Sequence, residues 1–233
     1  MDMMWYISSD PHREFSHIEQ FCEMQKTTRE DVLILLGDVL INYYEDRSDT
    51  AIKERLAQLP ITLFCLKGNH EQRPENMSVY ELVPFAGGEA YREQKYPNLL
   101  FAKDAEVYTL AGKQCMTIGG AYSLNWQECL TDGAPWWEDE QPTAEIRAAV
   151  EARLKSTGYR IDRMLTHTCP LRYAPMKEFA KDFDWEGVDT STEQWLDEIE
   201  QKLEYELWYC GHFHRSQTID KLQFVYTGIQ EFK

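Results

Sequence analysis

A continuous apolar run, VLILLG at residues 32–37, constrains the fold of this chain more than any other segment. A strand with no polar alternation is typical of a parallel sheet that is covered on both faces. Two further apolar runs, MWYIS at 4–8 and ITLFCLKG at 61–68, lie on either side of it, and an amphipathic stretch separates each run from the next. This alternation predicts a β-α-β-α-β unit with parallel strands, and therefore an α/β fold.

The rest of the chain continues this alternation less regularly. Helices are predicted after Pro142 and after Thr190, where Thr190 and Glu193 have the spacing of a capping box. The segment 121–142, which is rich in Trp, Gly, Pro and acidic residues, and the segment 171–190 are predicted to be irregular. Further strands are predicted at 106–110, 114–120, 163–167, 206–210, 216–220 and 222–228. Because no repeat or linker interrupts the chain, we expect a single domain over residues 1–233.

Composition narrows the classes of function. The 40 acidic residues outnumber the 24 basic ones, which gives a net charge of −16, and no basic cluster is present. This balance disfavours nucleic acid as a partner, whereas a site whose positive charge comes from metal ions is compatible with it. No apolar run approaches the ~20 residues that span a bilayer, the N-terminus lacks signal-peptide features, and the six cysteines form no close pair. We therefore expect a cytoplasmic protein without membrane association, and its oligomeric state stays open.

Polar side chains follow five of the predicted strands, at the point where each strand ends. The segments are Asp10-Pro11-His12, Gly37-Asp38, Gly68-Asn69-His70-Glu71, Thr166-His167-Thr168 and Gly211-His212-Phe213-His214. Taken alone, each segment could be a turn, a helix N-cap or a core histidine. Together they contain five of the six histidines, and the carboxyl ends of parallel strands form the ligand-binding edge of an α/β sheet. The sequence therefore predicts a metal site at this edge.

The predicted ligands select the kind of metal. Two carboxylates, one amide oxygen and four imidazoles suit borderline divalent ions such as Mn, Fe or Zn, and they exceed what one tetrahedral ion can use. We expect two divalent ions, with manganese supporting activity in vitro, and a shared carboxylate could hold them ~3.5–4 Å apart. The seven candidate ligands are Asp10, His12, Asp38, Asn69, His167, His212 and His214.

The motifs DxH, GD, GNH(E/D), H and GHxH, in this order over residues 10–214, closely resemble those of the calcineurin-like metallophosphoesterase superfamily. The resemblance is nearest to the small bacterial and phage-type phosphoesterases. It implies a two-sheet β-sandwich flanked by helices, in four α/β/β/α layers. It also implies that one metal is held by Asp10, His12 and His214, that Asp38 bridges, and that the second metal is held by Asn69, His167 and His212.

The resemblance further implies an activity. His70 would not bind metal but would face the leaving oxygen of the substrate as general acid or transition-state donor. The enzyme would hydrolyse a phosphomonoester or phosphodiester by direct attack of a metal-bridging hydroxide, on a small phosphoester or a phosphoprotein. Two alternatives stay open, a manganese-dependent nuclease and a non-catalytic metal-binding scaffold on the same fold. The chain departs from the family at Ile41, where an Asn or Asp partner for the motif histidine is common; Asn42 stands one residue later.

Two further sets of residues near these motifs each allow a functional and a structural interpretation. Arg13 and Arg73 could contact a substrate phosphate, or they could be structural. Four tryptophans in irregular segments could line the edge of the site, or they could pack within the protein; these are Trp126, Trp136, Trp137 and Trp185.

In an extended CGHFH segment, His212 and His214 would project to one side about 6.5 Å apart and bind different ions. Gly211 would then let the chain pass close beneath the site, with Phe213 turned into the core.

Overall fold

Two β-sheets packed face to face form the centre of the molecule. The computed structural model describes residues 3–179 and 187–233, and the first of its sheets has seven strands in the order β13-β1-β2-β3-β6-β5-β4. These strands are β1 (Trp5–Ser8), β2 (Val32–Leu35), β3 (Thr62–Cys65), β4 (Tyr80–Phe85), β5 (Gly88–Glu93), β6 (Leu99–Ala102) and β13 (Gln230–Glu231). The strands β1, β2 and β3 are mutually parallel, as the three apolar runs predict, and β6 is parallel to them. Antiparallel strands complete both edges of the sheet.

The second sheet has six strands in the order β11-β12-β10-β9-β8-β7. They are β7 (Val107–Leu110), β8 (Lys113–Ile118), β9 (Arg163–Thr166), β10 (Leu207–Cys210), β11 (Gln217–Ile219) and β12 (Leu222–Phe224). Here too the inner strands β8, β9, β10 and β12 are parallel, so both sheets direct several carboxyl ends toward the same end of the sandwich.

Helices cover the outer face of each sheet. In the described ranges they are α1 (Ser16–Gln25), α2 (Arg47–Leu56), α3 (Trp126–Asp132), α4 (Ala144–Ser156), α5 (Met176–Phe179) and α6 (Ser191–Glu200), with short 3-10 helices at Pro74–Asn76 and Leu171–Tyr173. Every helix in these ranges is too short or too polar to traverse a bilayer.

The two-residue period of the strands sorts apolar side chains into three core layers. On β2, Ile34 packs inward with Tyr108 and Leu165 of the opposite sheet, whereas Leu33 packs outward against α1 and α2. The outer face of the second sheet, which includes Trp208, packs against α4 and α6 in the same way. Full burial of one such side chain contributes about 1.5–3 kcal/mol. The expected four-layer α/β/β/α sandwich is thus confirmed.

Secondary structure predicted from local sequence is wrong in several places where tertiary contacts determine the backbone conformation. The hairpin β4–β5 was not predicted, because β4 is a half-exposed edge strand that contains Pro84 and lacks a clear apolar pattern. Strand β6, an inner strand whose four residues are all buried, was also missed. Helix α3 lies inside a segment predicted to be irregular. The capping box at Thr190 is also wrong: Asp189 Oδ1 accepts the Ser191 N–H at 2.8 Å, and the carboxylate of Glu193 is buried, where it accepts the hydroxyl of Thr168.

Candidate metal centre

The polar loops that follow β1, β2, β3, β9 and β10 converge at one end of the sandwich. Backbone hydrogen bonds join loops within each sheet: the amide of Asp10 donates to Gly37 O at 3.2 Å, that of His12 to Asp38 O at 3.0 Å, and that of Gly211 to His167 O at 2.9 Å. The strand ends therefore deliver the predicted ligands to a common place, as parallel topology requires.

One group of donors contains Asp10, His12 and His214. One ligand atom from each residue lies within 4.8 Å of those from the other two. The Nε2 atoms of His12 and His214 face each other at 2.9 Å, and His214 Nε2 lies 3.7 Å from Asp10 Oδ1. Two imidazole nitrogens turned toward each other beside a carboxylate fit a shared cation.

A second group adjoins the first. The Oδ1 atom of Asn69 lies 2.9 Å from His167 Nε2 and 3.1 Å from His212 Nδ1. Ligand atoms of Asp10, Asp38 and His167 also fall within 4.8 Å of one another. The two GHxH histidines are therefore separated, His212 in this group and His214 in the other.

Asp38 stands between the groups. Its Oδ2 lies 3.7 Å from His12 Nε2 and its Oδ1 lies 3.5 Å from His167 Nε2. All seven predicted ligands are thus brought together, and a mixture of carboxylate, amide and imidazole donors suits a divalent ion of the borderline class. The residues present therefore fit a divalent metal.

Comparison with known proteins agrees with this geometry. A family model described as calcineurin-like phosphoesterase matches residues 5–216. The chain belongs to the calcineurin-like phosphoesterase family. This membership confirms the resemblance read from the five motifs, and it is in keeping with a hydrolase that acts on phosphoesters with divalent metals.

Solved structures with the same overall arrangement are distant in sequence. The protein TT1561 of Thermus thermophilus is 14% identical over 98% of this chain and 90% of that protein, with a TM-score of 0.56. The phosphopantetheinyl hydrolase of Mycobacterium tuberculosis is 16% identical over 99% of this chain and 96% of that protein, with a TM-score of 0.49. No curated protein is significantly similar to the chain. The likeness to TT1561 shows the fold of this calcineurin-like phosphoesterase but not its substrate.

The backbone that presents these ligands is strained. Five of the seven candidates have positive φ angles, between 44° and 64°, a region in which non-glycine residues are uncommon: Asp10, His12, Asp38, His212 and His214. Such conformations cost on the order of 1–3 kcal/mol each and cluster at functional sites. They also correct the expectation of an extended CGHFH segment, because both of its histidines are left-handed and their separation into two groups comes from a turn.

Two glycines let the loops that carry the candidate ligands pack in direct contact with each other. A Cβ atom on Gly211 would lie 1.9 Å from Ser9 Oγ and 2.6 Å from Asp10 Oδ2, and one on Gly68 would lie 2.0 Å from Asp38 Oδ1. The expected close passage of the chain at Gly211 is confirmed. Phe213 is buried, as expected, and packs against Phe224.

The buried carboxylates of the calcineurin-like phosphoesterase differ in their affinity for protons. Burial raises the pKa of Asp10 to about 7, and the nearby charge of Asp38 adds to this effect. Burial alone would raise the pKa of Asp38 as well, but the positive charge of His167 reverses the shift and holds that pKa well below its usual range. Burial likewise disfavours a charged His167, yet its contact with Asp38 raises the pKa of this imidazole to about 9.

The other candidate imidazoles are neutral near pH 7. Burial lowers the pKa of His12 to about 4, and it also lowers the pKa values of His212 and His214. Neutral imidazole is the form that binds a metal. Three of the four candidate histidine ligands therefore have no proton to lose before they could coordinate a metal.

Hydrogen bonds outside the ligand set orient the ligands. His167 Nδ1 lies 2.6 Å from the carbonyl oxygen of Leu36, which directs Nε2 toward Asn69. Asn69 Nδ2 donates to Ser123 Oγ at 2.9 Å, and the backbone N–H of Ser123 donates to Glu140 Oε1 at 3.0 Å. Sequence reasoning missed Ser123 and Glu140, since nothing in their local pattern marks them as partners of a residue 54 or more positions away.

His70 is placed beside the donors, half-buried and apart from both groups. Its backbone N–H donates to Asp38 Oδ1 at 3.0 Å, and its ring centre lies 6.0 Å from that of His12. Within the described ranges, no side chain hydrogen-bonds the imidazole of His70. Asn42 does not serve as its partner: the Asn42 amide oxygen accepts the hydroxyl of Tyr80 at 2.9 Å, and its buried Nδ2 makes no hydrogen bond to a described residue.

Arg13 and Arg73 differ in burial and in their hydrogen bonds. Arg73 is 2% exposed, and its guanidinium donates to Asp104 Oδ2 at 2.5 Å and to the carbonyl oxygens of Asp139 and Gln141. Of the two alternatives for Arg73, its burial and these hydrogen bonds favour the structural one. Arg13 is bound to Leu40 O and Asp49 Oδ1 but stays partly exposed, so its contact with substrate stays a prediction.

The tryptophans mainly contact one another and their own segment. The rings of Trp126 and Trp136 lie 5.6 Å apart, Trp136 Nε1 donates to Glu140 Oε2 at 2.8 Å, and Trp137 packs against Tyr43. None of these three lines the cavity above the donors, in keeping with a packing role. Trp185 lies outside the described residues.

Proposed function

We propose that this protein is a two-metal phosphoesterase in which each donor group holds one divalent ion. The first ion would be bound by Asp10, His12 and His214, and the second by the residues around Asn69, namely His167 and His212. The observation that carries the proposal is the position of Asp38, whose two oxygens face histidines of different groups at 3.7 and 3.5 Å. A carboxylate in this position can serve both ions.

Divalent ions bound here would lower the pKa of a water molecule and neutralise the negative charge of the phosphate oxygens. The side chains of the protein supply the remaining functions. Asp38 and His70 line the same cavity, which has a volume of about 160 Å³, so a phosphoester that enters it can reach both. The imidazole of His70 would donate a proton, or a hydrogen bond, to the oxygen that departs from phosphorus.

The substrate we propose is a small phosphoester, attacked directly at phosphorus without a covalent phosphoenzyme. The net charge of −16 repels polyanions, which is an argument against nucleic acid. The cavity is small enough to admit only part of a larger molecule. We further propose a cytoplasmic protein, in keeping with six cysteines that are all free and buried.

The proposal is tested by assaying purified protein loaded with Mn²⁺ against para-nitrophenyl phosphate and bis(para-nitrophenyl) phosphate. We expect hydrolysis of at least one, abolished by removal of metal with a chelator and restored by adding Mn²⁺. The ratio of the two rates separates a monoesterase from a diesterase. Failure with both compounds, in protein shown to contain metal, would contradict the proposal. Degradation of single-stranded DNA under the same conditions would replace it with a nuclease.

A further inference from the structure

The cavity above the donor groups has two chemically different sides. Its polar side consists of candidate ligands and their neighbours, namely Asp38, Asn69, His70, Asn125, His212 and His214. Its other side is formed by Leu124 and Phe179, which are apolar. No lysine or arginine of the described ranges lines the cavity. The part of a substrate that lies away from the phosphoryl group therefore meets an uncharged surface.

The apolar side is held in place by packing from behind. The ring centre of Phe179 lies 5.4 Å from that of His212 and 5.9 Å from that of His214, so Phe179 stands over both GHxH imidazoles. The same ring packs edge-on against Phe213 at 5.2 Å, and Phe213 packs in turn against Phe224 in the core. This ring therefore forms one wall of the cavity and is continuous with the apolar core behind it.

The wall continues beyond the cavity. Leu124, Phe179 and His212 also line an adjoining hollow, whose further apolar lining residues are Tyr122, Met176 and Val188. Phe213 lines the hollow as well. The charged residues that line it, within the part of the chain that the structure describes, are Asp189 and Glu193, and both are acidic. The hollow has a volume of only about 10 Å³, so it is filled by its own side chains and supports Leu124 and Phe179 from behind. An apolar group placed against Leu124 and Phe179 from the cavity side would leave water, which is favourable in proportion to the area removed.

We propose that the site selects phosphoesters whose organic part carries a compact apolar or aromatic group, bound against Leu124 and Phe179. The proposal rests on the two-metal function proposed above, because it assumes that the phosphoryl group occupies the polar side. The cavity of about 160 Å³ also has to hold the phosphoryl group, and a cavity of ~150 Å³ accommodates benzene alone, so a group no larger than one aromatic ring is expected, partly outside the cavity. Esters of short polar alcohols would lack this contact.

The test compares phenylpropyl phosphate with propyl phosphate in Mn²⁺-loaded protein. Their leaving alcohols have similar acidity, so a difference in kcat/KM reports contact with the phenyl group. We expect a preference of about tenfold or more for phenylpropyl phosphate, the size of effect that a small apolar group has in a fitted pocket. Leu124→Ala and Phe179→Ala should each lower kcat/KM for phenylpropyl phosphate more than for propyl phosphate, so that the ratio of the two falls toward one. Leu130→Ala, at a leucine on α3 that is 56% exposed and outside the cavity, is the matched control.

Binding without turnover separates this inference from the proposed function. Phenylphosphonate should bind the metal-loaded protein more tightly than methylphosphonate, and Phe179→Ala should abolish the difference. Equal kcat/KM for the two esters together with equal binding of the two phosphonates would overturn the inference and leave the phosphoesterase function intact. Failure to cleave either ester would contradict the function, and the phosphonate comparison would then decide whether the apolar wall binds such groups.

Discussion

Asn69 donates a hydrogen bond from its side-chain Nδ2 to the hydroxyl oxygen of Ser123, over 2.9 Å. The donation fixes which way the amide faces, because the opposite atom, Oδ1, is then directed at His167 and His212. Ser123 is held in turn by the carboxylate of Glu140, which is buried. A metal ligand on a loop is thus oriented by residues of a segment far away in sequence.

Ser123→Ala should weaken metal binding without unfolding the protein. Loss of an outer hydrogen bond to a ligand commonly costs 10–100-fold in metal affinity, and we expect a decrease of about this size. Isothermal titration of metal-free protein with Mn²⁺ measures it directly. Ser156→Ala, at an exposed serine near the end of α4, is the control. Equal affinity in Ser123→Ala and wild type would show that Asn69 needs no such support.

Asp38→Asn and His70→Ala should separate metal binding from proton donation. Asp38→Asn removes a negative charge between the donor groups while keeping an oxygen for the amide of His70, so we expect loss of both metal and activity. His70→Ala should retain metal and lower kcat by about 10²–10⁴-fold, the range for a general acid. Metal content by elemental analysis and kcat on an aryl phosphate distinguish the two. An empty site in His70→Ala would make His70 a ligand.

Gly211→Ala should be far more damaging than an ordinary glycine substitution. The new Cβ atom would lie 1.9 Å from Ser9 Oγ and would press on Asp10, a candidate ligand. Overpacking of this kind costs about 1–3 kcal/mol in free energy of unfolding, and we expect metal affinity to fall as well. Chemical denaturation of metal-free protein measures the first effect. Gly228→Ala has open space around it and serves as the control. Equal stability of the two variants would mean that the loops can move apart.

The parts of the fold that could be predicted are those in which local pattern and tertiary position agree. The run VLILLG contains a strand buried on both faces, because a short continuous apolar run bounded by polar segments suits a covered parallel strand. The edge hairpin β4–β5 could not be predicted, since Glu81 and Pro84 suit an edge position that only the assembled sheet defines. The core between the sheets follows from the same alternation, but which sheet each later strand joins depends on long-range pairing.

The site was predictable at the level of ligands and not at the level of their supports. Asp, Asn and His residues that follow predicted strands can be recognised from the sequence alone, and the structure brings all seven candidate ligands together. The role of Arg73 stayed open because proximity in sequence to GNHE does not reveal that its side chain turns into a buried network with Asp104. Ser123 and Phe179 reach the site from distant loops, so no local spacing could have identified them.

Metal affinity should rise with pH between about 6.5 and 9, because His167 must lose a proton to bind an ion. Its contact with Asp38 raises its pKa in the metal-free protein to about 9, above the ~6.5 of a free imidazole. The bound proton therefore stabilises the metal-free fold fully below pH ~6.5, and this contribution disappears as the pH rises through about 9. An entering ion has to displace the proton, which becomes easier as the pH increases.

Titrations with Mn²⁺ at pH values across this range, each in two buffers of different ionisation enthalpy, measure affinity and proton release together. We expect release of about one proton per protein from His167 near pH 8, and up to a tenfold gain in affinity per pH unit below the pKa. Asp10, whose pKa is raised to about 7, adds proton release in the same direction below neutrality. His17→Gln, at a histidine on α1 outside both donor groups, should leave the profile unchanged. Affinity that does not vary with pH, with no proton released, would mean that His167 is already neutral and that Asp38 does not hold its proton.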